Sequence, residues 1–225
     1  MNLTDLINQE ILLGQTAPTV THTTQSNVTW AKAPKIGEEK KFRFLQQKSG
    51  ALFEMSHHHY GVKVETRFLR CLGDKCPICV IAKKFPESEE LKSTPRYNFL
   101  VLEDDLNIKV LASTRAVAEE LSRLFKDPDS VNPFHPLEGC TIKMRRDGNR
   151  YILTSTKQTP IDTNQEKILD VMNSRPDLQK ILHLSEKTIA EVNMKAEELR
   201  SKFSDAGSVM KNSFNANNDL REVPF

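Results

Sequence analysis

Thr141-Ile-Lys-Met-Arg-Arg-Asp-Gly-Asn-Arg-Tyr-Ile-Leu-Thr154 reads as a β-hairpin, two alternating runs joined at Asp147-Gly148. Asp-Gly suits a two-residue turn because both central positions take positive φ, which matches the twist of the flanking strands. That turn places Met144 opposite Tyr151 and Ile142 opposite Leu153 on one face, and Lys143, Arg145, Arg150 and Ile152 on the other. One face is apolar and the other basic. Such a hairpin lays one side on a core and turns the other towards water or an anion.

The stretches before it have the same texture. Lys41-Phe-Arg-Phe-Leu45, Leu52-Phe-Glu-Met55, Val62 to Leu69, Arg96 to Leu102 and Asn107 to Leu111 are short, partly alternating and rich in aromatic or β-branched residues, as antiparallel strands are. Thr114 can cap a helix running to about Phe125, with Val117, Leu121, Leu124 and Phe125 on one face and Asp127-Pro128 ending it. Five or six strands with one helix among them predict a mainly β protein, an OB-type barrel with added helices. Residues 38–160 form this core, and 57–80 are an insertion in it.

The insertion carries the densest chemistry. Cys71-Leu-Gly-Asp-Lys-Cys76-Pro-Ile-Cys79 follows closely on His57-His-His59, and three of the four cysteines fall within it. Three thiolates and one imidazole suit a tetrahedral zinc ion, and Cys-x-x-Cys presents two sulfurs from one tight turn. Strand alternation puts His57 and His59 in phase with Phe53 and Met55, which favours His59 as the fourth ligand, with His57 and His58 as alternatives. Four protein ligands leave no position for water or substrate, so the zinc would be structural and the protein not an enzyme. Cys140 stands alone among strand residues and reads as core. Zinc-deaminase chemistry requires His-x-Glu ahead of Pro-Cys-x-x-Cys, and neither is present. Gly-x-Ser-x-Gly, Gly-x-x-x-x-Gly-Lys and His-Glu-x-x-His are also absent.

The 225 residues carry 32 basic and 30 acidic side chains, so net charge alone says little about partners. Their distribution says more, because residues 161–225 hold 9 basic and 11 acidic groups and the remaining excess of base lies ahead of them. Residues 1–37 read as an arm or linker with an apolar stripe at Leu3, Leu6, Ile7 and Ile11. Residues 161–204 read as helices packed on the sheet, the first opened by Thr163-Asn-Gln-Glu166 as a capping box. Residues 205–225 read as a polar tail. No apolar run reaches the roughly 20 residues of a membrane span and no signal-peptide pattern opens the chain, so a cytoplasmic protein is expected.

An OB barrel binds single strands through a positive groove and aromatic platforms on which bases stack. Arg43, Arg67, Arg70, Arg96, Lys109, Lys143, Arg145 and Arg150 lie in or beside the expected strands and are the candidate phosphate contacts. Lys63 belongs to the same cluster. Trp30, Phe44, Phe68 and Tyr97 are the candidate stacking residues, whereas Tyr151 falls on the inward face of its hairpin.

Phe42-Arg-Phe-Leu45, the histidines, Cys71, Cys76-Pro-Ile-Cys79, the strand at Arg96 to Leu102 and the exit Tyr151-Ile-Leu-Thr-Ser155 occur in an order that resembles the zinc-containing single-stranded DNA-binding proteins of tailed bacteriophages. The resemblance covers residues 38–160. It implies an OB fold with one structural zinc and sequence-independent binding of single-stranded DNA in replication, recombination and repair. Family members that form cooperative filaments carry a basic N-terminal motif, but no lysine or arginine precedes Lys32 here. Self-association would then fall to the apolar stripe of the arm. The last residues, Glu222-Val223-Pro224-Phe225, resemble the acidic tip with which bacterial single-stranded DNA-binding proteins recruit replication and repair enzymes. A terminal phenyl ring suits an apolar pocket, and the carboxylates suit arginines at its rim. The competing expectation is a zinc-containing adaptor of the replication machinery whose insertion and tip both contact proteins, without strong DNA binding.

Overall fold

The computed structural model of the chain describes residues 29–65, 67–85 and 88–216. These form two compact units, one comprising the described residues up to Ser56 together with Pro95–His183, the other comprising those of His57–Thr94 together with the described residues from Leu184.

In the first unit, strand β2 (Glu39–Leu45) is the hub. Its first half pairs with β7 (Cys140–Asp147), Phe42 opposite Ile142, and its second half with β5 (Ser93–Leu102), Leu45 opposite Leu100. Beyond β5 lies β6 (Ile108–Ser113), then the two-residue β1 (Thr29–Trp30), which runs parallel to it, and beyond β7 lies β8 (Arg150–Gln158). The order β1-β6-β5-β2-β7-β8 is an open path, and no described pairing joins its two ends. The expected barrel is therefore not closed. Trp30, expected in a linker, is part of the sheet, held there as Ala31 N–H donates to the Val110 carbonyl at 2.9 Å.

Alternation along β5 explains why the middle of this sheet is apolar on both sides. Phe99 and Val101 join Phe42, Phe44 and Leu111 in one core, covered by Val117, Leu121 and Leu124 of helix α2 (Arg115–Lys126). Leu100 and Leu102 join Leu45 and Val110 in another, covered by Ile168 and Met172 of α3 (Gln165–Asn173) and Leu178 of α4 (Leu178–Ile181). A strand covered on both faces reads as a continuous apolar run, as Phe99-Leu-Val-Leu102 does. β7 differs, because Cys140, Ile142 and Met144 are buried in the α2-side core while the residues between them remain at least partly exposed.

The β7–β8 hairpin turns at Gly148-Asn149 rather than at Asp147-Gly148, with Asp147 opposite Arg150 and Met144 opposite Leu153. Gly148 has φ of +56° and Asn149 has no positive φ, the signature of a turn with glycine first rather than one needing two left-handed residues. The register moves by two residues on β8, so every side chain keeps its expected face. α3 starts from Asn164, not Thr163, because the Asn164 side chain accepts from the Glu166 and Lys167 amides.

The second unit contains the hairpin of β3 (Glu54–Val64) and β4 (Arg67–Arg70), a 3₁₀ turn at Gly73–Lys75, α1 (Pro77–Lys84), a second 3₁₀ turn at Glu89–Leu91 and the long α5 (Glu186–Ala216). Val62, Leu69, Ile78, Ile81 and Leu91 form its core with Val192 and Ala196 of α5. Phe85 stacks on Phe203 at 4.5 Å, and Arg67 pairs with Glu191 at 2.9 Å. The C-terminal helices thus divide: α3 and α4 pack on the sheet, whereas α5 belongs to the second unit. Helix also extends to Ala216, where a tail was expected from residue 205, so helix and strand content are roughly equal and the protein is mixed rather than mainly β.

Candidate metal centre and basic face

His59, Cys71, Cys76 and Cys79 converge, with all four ligand atoms within 4.8 Å of one another. β3 supplies His59, which is fully buried and directly opposite Leu69 of β4. Cys71 follows β4, its amide donating to the His57 carbonyl at 2.8 Å. Gly73, at φ of +80°, then turns the chain so that Cys76 caps α1, with Pro77 opening the helix and Cys79 in its first turn. A thiolate at a helix N-terminus is favoured by the helix dipole.

The Sγ atoms of Cys71 and Cys79 are 3.5 Å apart, and Nε2 of His59 is 3.3 Å from Cys76 Sγ and 3.9 Å from Cys79 Sγ. A tetrahedral ion with metal–sulfur bonds of about 2.3 Å and a metal–nitrogen bond of about 2.0 Å needs ligand edges of roughly 3.5–3.8 Å. These three separations bracket that size, all four atoms lie within 4.8 Å of one another, and the cysteines are free thiols. His59 Nδ1 lies 2.7 Å from the Leu91 carbonyl. A carbonyl only accepts, so Nδ1 carries the proton and Nε2 turns its lone pair towards the sulfurs, the outer-shell bond that orients metal-binding histidines.

The thiols are electrostatically incompatible with full ionisation on their own. Burial, reinforced by the neighbouring Cys76 and Cys79, pushes Cys71 up to about 12. At Cys76 burial is also the largest influence and acts upward, but contact with His59 and the backbone at Leu72 and Cys79 outweighs it and brings the thiol down to about 6. A divalent cation would supply the charge that three adjacent thiolates require. His57 and His58 lie outside this set.

The other candidates separate by burial. Phe44 has no exposed surface and packs edge-on against Phe99 at 5.4 Å, so it belongs to the core and offers no ring to a base. Arg43 is 6% exposed, and one nitrogen donates to the His135 carbonyl while Nε and Nη1 have no hydrogen-bond partner. Burial holds its pKa down at about 10, so it is a core arginine rather than a phosphate contact. Lys109 is held between Glu103 at 2.5 Å and Asp105 at 2.8 Å, and Arg67 is held by Glu191, so both charges are already answered. Arg96 is partly buried, which lowers its pKa, and Tyr97 packs edge-on against Phe53. Arg70 is also partly buried, while Trp30 is 52% exposed and Phe68 40% exposed.

Lys143, Arg145 and Arg150 remain together on the outer face of the hairpin, with Ile152 exposed between them. The structure adds Lys41, exposed on β2 and directly opposite Lys143. Like charges in directly opposed positions are destabilising, and Glu39, 3.9 Å from Lys143, partly offsets the pair. Nothing in the sequence marks Lys41 until the pairing of β2 with β7 is known. Glu222, Val223, Pro224, Phe225 and the stripe at Leu3, Leu6, Ile7 and Ile11 lie outside the described residues.

No protein-family model matches the chain, and no curated protein is significantly similar to it. Among the described residues, no helix is long and apolar enough to cross a membrane.

Proposed function

We propose that this chain is a sequence-independent single-stranded DNA-binding protein of the tailed-phage type, with one structural zinc ion held by His59, Cys71, Cys76 and Cys79. The donor set supports zinc, since three thiolates and an imidazole in a closed tetrahedron suit a d¹⁰ ion without redox chemistry. The strand run β6-β5-β2-β7-β8, with α2 between β6 and β7, is compatible with an OB-type sheet left open along one edge. In this reading the protein coats and protects single strands during replication, recombination and repair. Its tip at Glu222–Phe225 recruits replication proteins, and its N-terminal stripe serves self-association.

The observation that carries the proposal is the uncovered basic face where β2, β7 and β8 run side by side. α3 and α4 cover the neighbouring part of that side of the sheet and leave Lys41, Lys143, Arg145 and Arg150 exposed. The four cations, a directly opposed lysine pair among them, outnumber the two carboxylates beside them, Glu39 opposite Arg145 and Asp147 opposite Arg150, and are relieved by a polyanion whose condensed counterions are released on binding.

The test is fluorescence anisotropy of a labelled oligo-dT at several salt concentrations, with matched duplex and oligo-U competitors. Affinity is expected to fall steeply with salt and to resist the duplex, and replacing all four basic residues by alanine should reduce the salt slope by about 0.7 for each phosphate that is no longer neutralised. Salt-independent binding, or an unchanged slope in the quadruple variant, would overturn the reading.

A further inference from the structure

We propose that the outer face of the β3–β4 hairpin, in the metal-bearing unit, is a second contact for single-stranded DNA, with Tyr60 and Phe68 as its stacking platform and Lys63 as a phosphate contact. This rests on the function proposed above and extends it to residues outside the basic face of the sheet.

Alternation along β3 generates the surface. His59 faces inward to the metal cluster and is opposite Leu69, so its neighbours His58 and Tyr60 face the other way. Between His59 and Lys63 the ladder slips, leaving residues 60–62 unpaired against β4. Such a bulge re-aims side chains. Here Val62 turns into the core, while Tyr60 swings against Phe68 with ring centroids 4.8 Å apart. His58 continues the row, 6.4 Å from Tyr60, and the Lys63 ammonium lies 4.8 Å from the Phe68 centroid. Arg70, opposite His58, closes the other end with its Nε buried and without a hydrogen-bond partner.

Phe68 is 40% exposed, with Tyr60 and His58 half-buried beside it, and an aromatic ring left on an outward strand face is costly in water. The described strand residues from His57 to Arg70 contain no carboxylate, and Glu65 in the connecting turn is the one acidic residue between them, so the face is aromatic and mainly cationic. Bases offer π-faces to the rings, and phosphates offer charge to Lys63 and Arg70. An acidic peptide would satisfy the cations but leave the ring faces unused. Gly61 keeps the platform in place, because a Cβ there would collide with the Glu90 backbone where the bulge passes the second 3₁₀ turn.

The experiment uses the full, metal-loaded chain and oligo-dT. Tyr60→Leu and Phe68→Leu retain apolar volume but remove the ring. Each is expected to weaken binding about tenfold, within the range for losing one base–aromatic stack, while leaving the salt slope intact. Phe68→Trp should restore affinity, and Lys63→Ala should lower the slope by about 0.7. A photoreactive bromodeoxyuridine oligonucleotide should crosslink to Tyr60 or Phe68. If the double Leu variant, still carrying its metal, binds with wild-type affinity and every crosslink falls on the β2–β7–β8 face, the second contact is overturned and the function stands. If the wild-type chain itself ignores oligo-dT, the function falls first.

Discussion

A buried arginine and an exposed one look the same in a sequence, and Arg43 shows what the difference does. It alternates with Phe42 and Phe44 as Lys41 does, yet β2 is covered on both faces from Phe42 onward, and the guanidinium ends up at the His135 carbonyl. Replacing it should therefore act on stability and not on DNA. Arg43→Ala removes a charged hydrogen bond in a buried setting, worth roughly 1.5–3 kcal/mol, and should lower Tm by about 3–12 °C for a chain of this size with the salt slope of oligo-dT binding unchanged. Arg145→Ala should do the reverse. An Arg43 variant with a native melt and a reduced slope would return this residue to the DNA interface. At the metal centre the equivalent contrast is between adjacent histidines. His59→Ala should lose most of the bound zinc measured by atomic absorption, whereas His58→Ala should keep it, because only His59 is oriented by Leu91 towards the thiols. Equal retention by both variants would remove His59 from the ligand set.

At the level of strands and helices, periodicity is legible in the sequence and partnership is not. The faces of β7 and β8 are legible because alternation survives a two-residue error in register, whereas Asp147-Gly148 and Gly148-Asn149 are both good turn dipeptides and local chemistry does not choose between them. The metal-ligand cluster is legible because its spacing is local, whereas the phase argument reaches His59 on a premise that fails, since Met55 is 53% exposed and His57 shares the same phase. Phe44 reads as a surface ring because its burial depends on α2 and Phe99, both far away in sequence. α5 shows its apolar stripe but not its destination, since Val192 and Ala196 would suit a sheet as well as they suit α1. The bulge at Tyr60–Val62 is invisible for the same reason. Its one local trace is Gly61, where any side chain would meet the Glu90 backbone. Gly61→Ala should cost about 1–3 kcal/mol of overpacking strain and lower Tm by roughly 2–12 °C. Gly148→Ala meets no atom within 4 Å and is strained only by its positive φ, so a larger loss there than at Gly61 would contradict the close approach.

Across the whole chain, the two units draw on separate cores: no residue of the cluster around Val62, Ile78 and Val192 occurs in the clusters around Phe99 and Leu100. The four candidate metal ligands all belong to the unit built on the first of these. Metal binding free energy is folding free energy for the elements that it ties together, so it should stabilise one unit far more than the other. In the proposed metal-bound state the second unit would draw on this tie, because β4 has only four residues and the β3–β4 ladder is interrupted at its bulge. A two-stranded hairpin alone is marginal. The sheet unit has six paired strands and two covering layers of helix, and needs no ion to bury its apolar surface. Hydrogen exchange on the chelated full-length protein should therefore show weakened protection in β4, α1 and the first part of α5, with β5, β6 and β7 still protected at the same temperature. Cys76→Ser should reproduce that pattern, and added zinc should restore protection in the chelated wild type but not in the variant. Uniform loss of protection across both units would mean that the metal holds the entire fold, and unchanged protection everywhere would mean that His59, Cys71, Cys76 and Cys79 carry no structural ion.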